Sequence, residues 1–147
     1  MTTAEQVKLV ADSWAKVHAI DETWDKQGHL LFAELFTLAP EAIQLYPFKD
    51  DSGDEYKAKL SKHAIGVMKA VDSSLKLWGS PEGEKELNDL GKRHLDYSVV
   101  AAHYAVLGQA LLITLEKALA DGFTAELKAA WTAAWEAITS NMQKGNY

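Results

Sequence analysis

The chain has 147 residues, 48% of them apolar and 24% charged, with 15 Lys and Arg against 21 Asp and Glu for a net charge of −6. That length suits one domain with a full core, and the mixture excludes a disordered tail, a fibre and a polytopic membrane protein. The acidic balance, with Lys92-Arg93 as its longest cationic run, excludes the basic stripe of a nucleic-acid or membrane-surface binder. There is no cysteine, so a disulfide framework, a thiolate metal site and a cysteine nucleophile are excluded too. The first residues carry no basic region followed by an apolar core, and position 2 is Thr rather than Gly, so neither a signal peptide nor myristoylation is expected. A cytoplasmic protein is the expectation.

Pro40, Pro47 and Pro81 are the three prolines, and helix interiors exclude proline, so residues 1–39, 48–80 and 82–147 are free to be helical. Val7, Val10, Trp14 and Val17 recur at spacings of three and four, predicting a first helix, with Thr3 and Gln6 as a capping box. A second helix is predicted over 21–38, with Trp24, Leu31, Leu35 and Leu38 on one side and Phe32 and Phe36 beside them. Pro40 opens a short helical turn and Pro47 closes it, and the polar run 49–54 reads as a loop. A helix over 54–77 carries Leu60, His63, Val67 and Val71, and a shorter one over 83–95 carries Leu87, Leu90 and His94. Two strongly apolar helices follow, over 99–120 and 124–142, parted by Asp121-Gly122. Gly122 is the expected C-terminal cap of the first and Thr124 the N-cap of the second. No strand, repeat or linker is legible, so the expectation is one all-α domain over 1–147 with six or seven helices.

Of the five histidines, His63 and His94 fall on apolar stripes of consecutive helices, 31 residues apart. Helical histidines ordinarily sit at the polar boundary, so this pair demands something that satisfies both imidazoles. Neutral imidazole is a common ligand of iron, copper and zinc. A bare metal would want further His, Asp or Glu one turn away, and neither histidine has a suitable neighbour. A haem brings four nitrogens of its own and asks only for axial ligands and apolar walls. His18, His29 and His103 are read as surface or packing residues, and Trp131 and Trp135 as core.

The segments Leu30–Phe48, Leu90–His94 and Leu111–Leu119, with Trp14-Ala-Lys-Val and Ala129-Ala-Trp131, resemble the globin family over the whole chain. Within that family they are most similar to neuroglobin-type and invertebrate intracellular globins. The resemblance implies a globin fold, three helices over three, around haem b (iron protoporphyrin IX). It implies His94 as the proximal iron ligand and His63 as the distal one, either ligating iron directly or facing a bound gas. Phe32 and Val67 would close the distal pocket, Leu90 would pack below the ring, and Tyr104 would touch its inner edge. Gly28 matches a position where two globin helices cross closely, with Ala64 facing it.

Tyr46 stands where globins of this kind carry a phenylalanine that stacks on haem, with Phe48 two residues later. Its hydroxyl either reaches solvent or a haem edge, or enters the distal side and alters ligand release. Gly66 replaces a cationic residue common in the family, and Lys49, Lys62 and Arg93 are candidates for the haem propionates. The implied function is reversible binding of O2, with CO and NO as further gases, for storage, transport or supply by a monomer or homodimer. The competing readings are a bis-histidine redox or sensing globin, and NO dioxygenase, nitrite reductase or peroxidase activity. No segment resembles a fused reductase or a dedicated proton-delivery acid, which leaves catalysis secondary.

Overall fold

The first apolar stripe becomes α1 (Ala4–Ile20). Val10, Trp14 and Val17 are buried on it, whereas Val7, one turn nearer the start, is 40% exposed. The computed structural model describes residues 4–45, 50–77, 85 and 101–143. The expected helix over 83–95, except residue 85, which is helical, lies outside them, as do the Thr3 cap, Pro47 and the start of the helix at Val99. Among the described residues there are five α-helices and no strand, an all-α fold in agreement with the sequence reading.

The second helix, α2 (Asp25–Leu38), starts four residues later than the sequence suggests. Asp21 stays outside the helix and acts on it. Its Oδ2 accepts the backbone N–H of Gln27 at 2.9 Å, neutralising one of the unpaired donors of the first turn. Trp24, the residue before α2, takes a left-handed conformation with φ 65°, a strained one for a bulky side chain. Its indole is held there between His18 and Trp14, with ring centroids 4.8 and 4.5 Å away. Leu31, Phe32 and Leu35 are buried as the spacing requires, but Leu38 is 43% exposed. By that turn the chain has reached the last residue of the helix, where Pro40 begins a 3-10 helix (Pro40–Leu45) that redirects it.

The polar run ends in α3 (Gly53–Leu77), within a residue of expectation. After residue 100 come α4 (Ala101–Leu119) and α5 (Ala125–Gln143), joined by the 3-10 turn Ala120–Gly122. The left-handed residue that stops α4 is Ala120, at φ 50°. Gly122 is therefore not the cap, because the chain has already turned two residues before it. Thr124 caps α5 as expected, its Oγ1 accepting the N–H of Leu127 at 3.1 Å.

Packing follows the buried stripes. α2 lies between α3 and α4, while α1 packs on α5 and reaches α4. Leu31 and Phe32 of α2, Met68 of α3, Leu111 and Leu115 of α4 and Trp131 of α5 are the large side chains at the centre. The indole N–H of Trp131 is satisfied in that interior by Ser13 Oγ at 2.9 Å. Ser13 in turn donates to the carbonyl of Val10 at 2.8 Å, so the deepest polar group of α5 is paired without water.

Candidate functional site

The crossing of α2 and α3 is built on one small residue. A Cβ placed on Gly28 would stand 3.0 Å from Ala64 Cβ and 3.2 Å from Ala64 backbone carbon. The two helices therefore touch backbone to side chain, an approach that only glycine permits. This bears out the facing pair expected at Gly28 and Ala64. It also decides which side of α3 is buried.

Ala64, Met68 and Val71 point into the core, whereas Leu60 and Val67 are half-buried beside it. His63 is exposed at the edge of this packed face. Centring the crossing on Ala64 rotates the inward face one position along the helix. Residues 60, 63 and 67 are left as the rim of the α2–α3 seam. Across that rim the ring of His63 meets the buried ring of Phe32 edge-on, at 5.4 Å between centroids and 73° between planes. Phe36, one turn on, is edge-on to Phe32 at 5.8 Å.

The polar flank of the seam lies one turn earlier on both helices. His29 Nε2 is hydrogen-bonded to Ser61 Oγ, and the same nitrogen lies 3.7 Å from Asp25 Oδ1. Below it, Lys59 pairs with Asp51 at 2.7 Å and Glu55 at 3.1 Å. The hydrogen bonds that the ammonium donates to Asp51 and Glu55 raise its pKa above the ordinary value. Lys62 is exposed on the outer side of α3. His18 sits at the end of α1 as expected, its Nε2 3.1 Å from the Glu22 carbonyl oxygen.

Tyr104, on α4, is buried, and its backbone oxygen accepts the indole N–H of Trp135 at 2.9 Å. A Cβ at Gly108, one turn on, would overlap that indole. Trp135 thus packs against α4 in the space that Gly108, with no side chain, leaves open. Neither this contact nor the His29–Ser61 pair was anticipated from the sequence. For the former, a glycine inside an apolar helix was the signal available. The structure brings together His63, Phe32 and Val67, and places Tyr104 on the neighbouring α4. His94, Leu90, Tyr46 and Phe48 lie outside the described residues, as do Lys49 and Arg93 and the side chain of His103.

Among the described residues no three His, Asp or Glu side chains gather closely enough to hold a metal ion. One imidazole beside a phenylalanine and a valine on an apolar rim instead suits a metal that brings most of its own ligands, as iron in a porphyrin does. The family model described as "Globin" matches residues 29–142. The chain belongs to the globin family.

This globin is 32% identical over 144 residues to an "Anaerobic nitrite reductase" of Gossypium hirsutum, covering 94% of the chain and 86% of that protein. It is 31% identical over 146 residues to "Leghemoglobin" of Medicago sativa, covering 97% and 96%. An "Anaerobic nitrite reductase" of Casuarina glauca is 31% identical over 144 residues, covering 94% and 88%. These relatives are plant proteins, so they support the family and not the narrower likeness to neuroglobin-type globins. Membership of the globin family implies haem as the bound group and small gases as its partners, and the residues of the α2–α3 rim fit it. No helix among the described residues is long and apolar enough to cross a membrane.

Proposed function

We propose that residues 1–147 form one cytoplasmic globin domain that holds haem b and binds O2 reversibly, for storage, transport or supply. The observation that carries this reading is the His63 ring set edge-on against buried Phe32 across the seam of two closely crossing helices. Ferrous haem supplies the electron-rich centre at which diatomic gases bind. His94 would hold the iron of bound haem, and His63 would offer an imidazole N–H to the gas, a hydrogen bond that would slow its escape. Phe32 and Val67 keep water from that side. Leu90, Tyr104, Tyr46 and Phe48 supply the apolar and aromatic walls, and CO and NO are further ligands.

Spectra of the purified protein in ferric, ferrous and CO-treated forms provide the test. A Soret band that shifts with CO is expected, and its absence from protein supplied with haem would end the reading. Substituting His63→Leu should raise the O2 dissociation rate about 10- to 100-fold, since a hydrogen bond to a charged partner is worth ~1.5–3 kcal/mol.

A second reading is favoured by the two relatives named as anaerobic nitrite reductases. Reduction of nitrite to nitric oxide and water consumes one electron, which ferrous haem would supply when bound, and two protons, one of which His63 would pass. Anaerobic mixing of ferrous protein with nitrite separates the readings. Turnover that survives His63→Leu removes His63 from that role. The finer likeness to neuroglobin-type globins would add direct ligation of iron by His63, which a low-spin ferrous spectrum without added ligand would reveal.

A further inference from the structure

We propose that His29 is a positioning residue, whose hydrogen bond to Ser61 tethers α3 to α2 and fixes the stance of His63 toward a bound gas. This rests on the reading of His63 given above. Three contacts share one short stretch of the crossing: Gly28 with Ala64, His29 with Ser61, and Phe32 with His63. On α3 the two partners other than His63 lie within two residues of it in sequence, Ser61 before and Ala64 after. They act in opposite senses. The Gly28–Ala64 approach serves as the stop: a Cβ built on Gly28 would stand 3.0 Å from Ala64 Cβ, so it is the glycine that lets the helices come this close.

The His29–Ser61 bond is a tether, because α3 cannot lift from α2 without breaking it. Between the stop and the tether, the backbone carrying His63 has a single height relative to Phe32. The pairing suits the task chemically. A serine hydroxyl both donates and accepts, so it meets His29 Nε2 in either tautomer of the neutral ring. Asp25, 57% exposed, lies 3.7 Å from that nitrogen, beyond hydrogen-bond reach, so Ser61 is the partner of His29 Nε2.

Without the tether, α3 gains freedom to rise from the seam, and the edge-on contact between Phe32 and His63 loosens. A less firmly held imidazole makes a weaker hydrogen bond to the ligand. His29→Ala and Ser61→Ala should each raise the O2 dissociation rate of the haem-loaded protein about fivefold, the factor corresponding to a net hydrogen bond of ~1 kcal/mol. The double variant should equal either single one, and His29→Gln, which keeps a polar atom within reach of Ser61, should restore part of the native rate. A merely structural role is excluded by repeating His29→Ala on a His63→Leu background, where the dissociation rate should no longer respond.

Flash photolysis of the CO form, with circular dichroism to establish folding, gives the rebinding kinetics of the same variants. The inference fails if His29→Ala and Ser61→Ala lower the melting temperature yet leave gas kinetics unchanged, or if their effect persists without His63. If His63→Leu alone leaves O2 dissociation at the native rate, the reading of His63 is wrong and the inference falls with it.

Discussion

Gly66 shows how far one residue's meaning depends on where its side chain would point. In sequence it reads as the loss of a cationic residue from a functional helix. In the structure it is exposed on α3, and a Cβ built there meets nothing within 4 Å. Glycine inside a helix leaves the unfolded chain more freedom than alanine does, at a cost of ~1 kcal/mol. Since no neighbour objects to a methyl group, Gly66→Ala should stabilise the protein by about that amount. For a domain of this size the melting temperature should rise by roughly 2–4 °C. The O2 dissociation rate should not change, because residue 66 lies on the outer side of the helix. Scanning calorimetry beside stopped-flow measurement would check both halves; a lower melting temperature would mean that Gly66 is held by a contact outside the described residues.

Between elements the same substitution reverses sign. Gly108→Ala gains the same ~1 kcal/mol of helix propensity, but its methyl group would occupy the space of the Trp135 indole. Overpacking of this kind costs about 1–3 kcal/mol, and swinging the indole away also gives up its hydrogen bond to Tyr104, worth ~1 kcal/mol. The net expectation is a loss of about 1–3 kcal/mol, read as a lower denaturation midpoint with red-shifted tryptophan emission. Pairing it with Trp135→Ala should turn Gly108→Ala from damaging to neutral or better, the signature of a direct contact.

The distinction between these glycines marks the limit of what periodicity conveys. Spacing located α3 and the last two helices to within a few residues, local chemistry found the Thr124 cap, and resemblance to a family pointed to the Gly28–Ala64 crossing. Spacing alone could not show that the crossing turns Ala64 inward and leaves His63 on the rim, since residues one position apart share much of an apolar arc. Nor could it place Asp21 as an external cap for α2 or Ala120 as the end of α4, because both depend on where the chain goes next. His63, Phe32 and Val67 were legible as a site through resemblance to a family. The His29–Ser61 tether was not, because it joins residues 32 apart in sequence and neither side chain is unusual on its own helix.

At the scale of the whole molecule, stability is tied to charge through one chain of aromatic rings. His18, Trp24, Trp14 and Trp131 follow one another at 4.8, 4.5 and 5.6 Å, from the end of α1 to the centre of α5. Trp14 leaves this stack by its indole N–H, which donates to Asp72 Oδ1 on α3 at 3.0 Å. Asp72 is also paired with Lys76 at 2.9 Å. Partial burial works to raise the Asp72 pKa, but the hydrogen bonds from Lys76 and Trp14 outweigh it and hold the carboxyl below its ordinary value of 3.8.

A carboxyl with a lower pKa folded than unfolded contributes stability above its unfolded value and loses it as the pH falls through the folded one. Lys76 is largely exposed, so solvent screening keeps the ion pair's share small, about 0.5–1 kcal/mol. Asp72→Asn isolates that share, because the amide retains an oxygen for Trp14 while losing the charge. The variant should therefore be less stable than the native protein at pH 7 by about that amount. The gap should close as acid protonates the native carboxyl below the ordinary carboxylate range. Urea denaturation from pH 7 to pH 3 would measure the difference directly. A gap that stays constant across that range would show that the charge of Asp72 contributes nothing to stability.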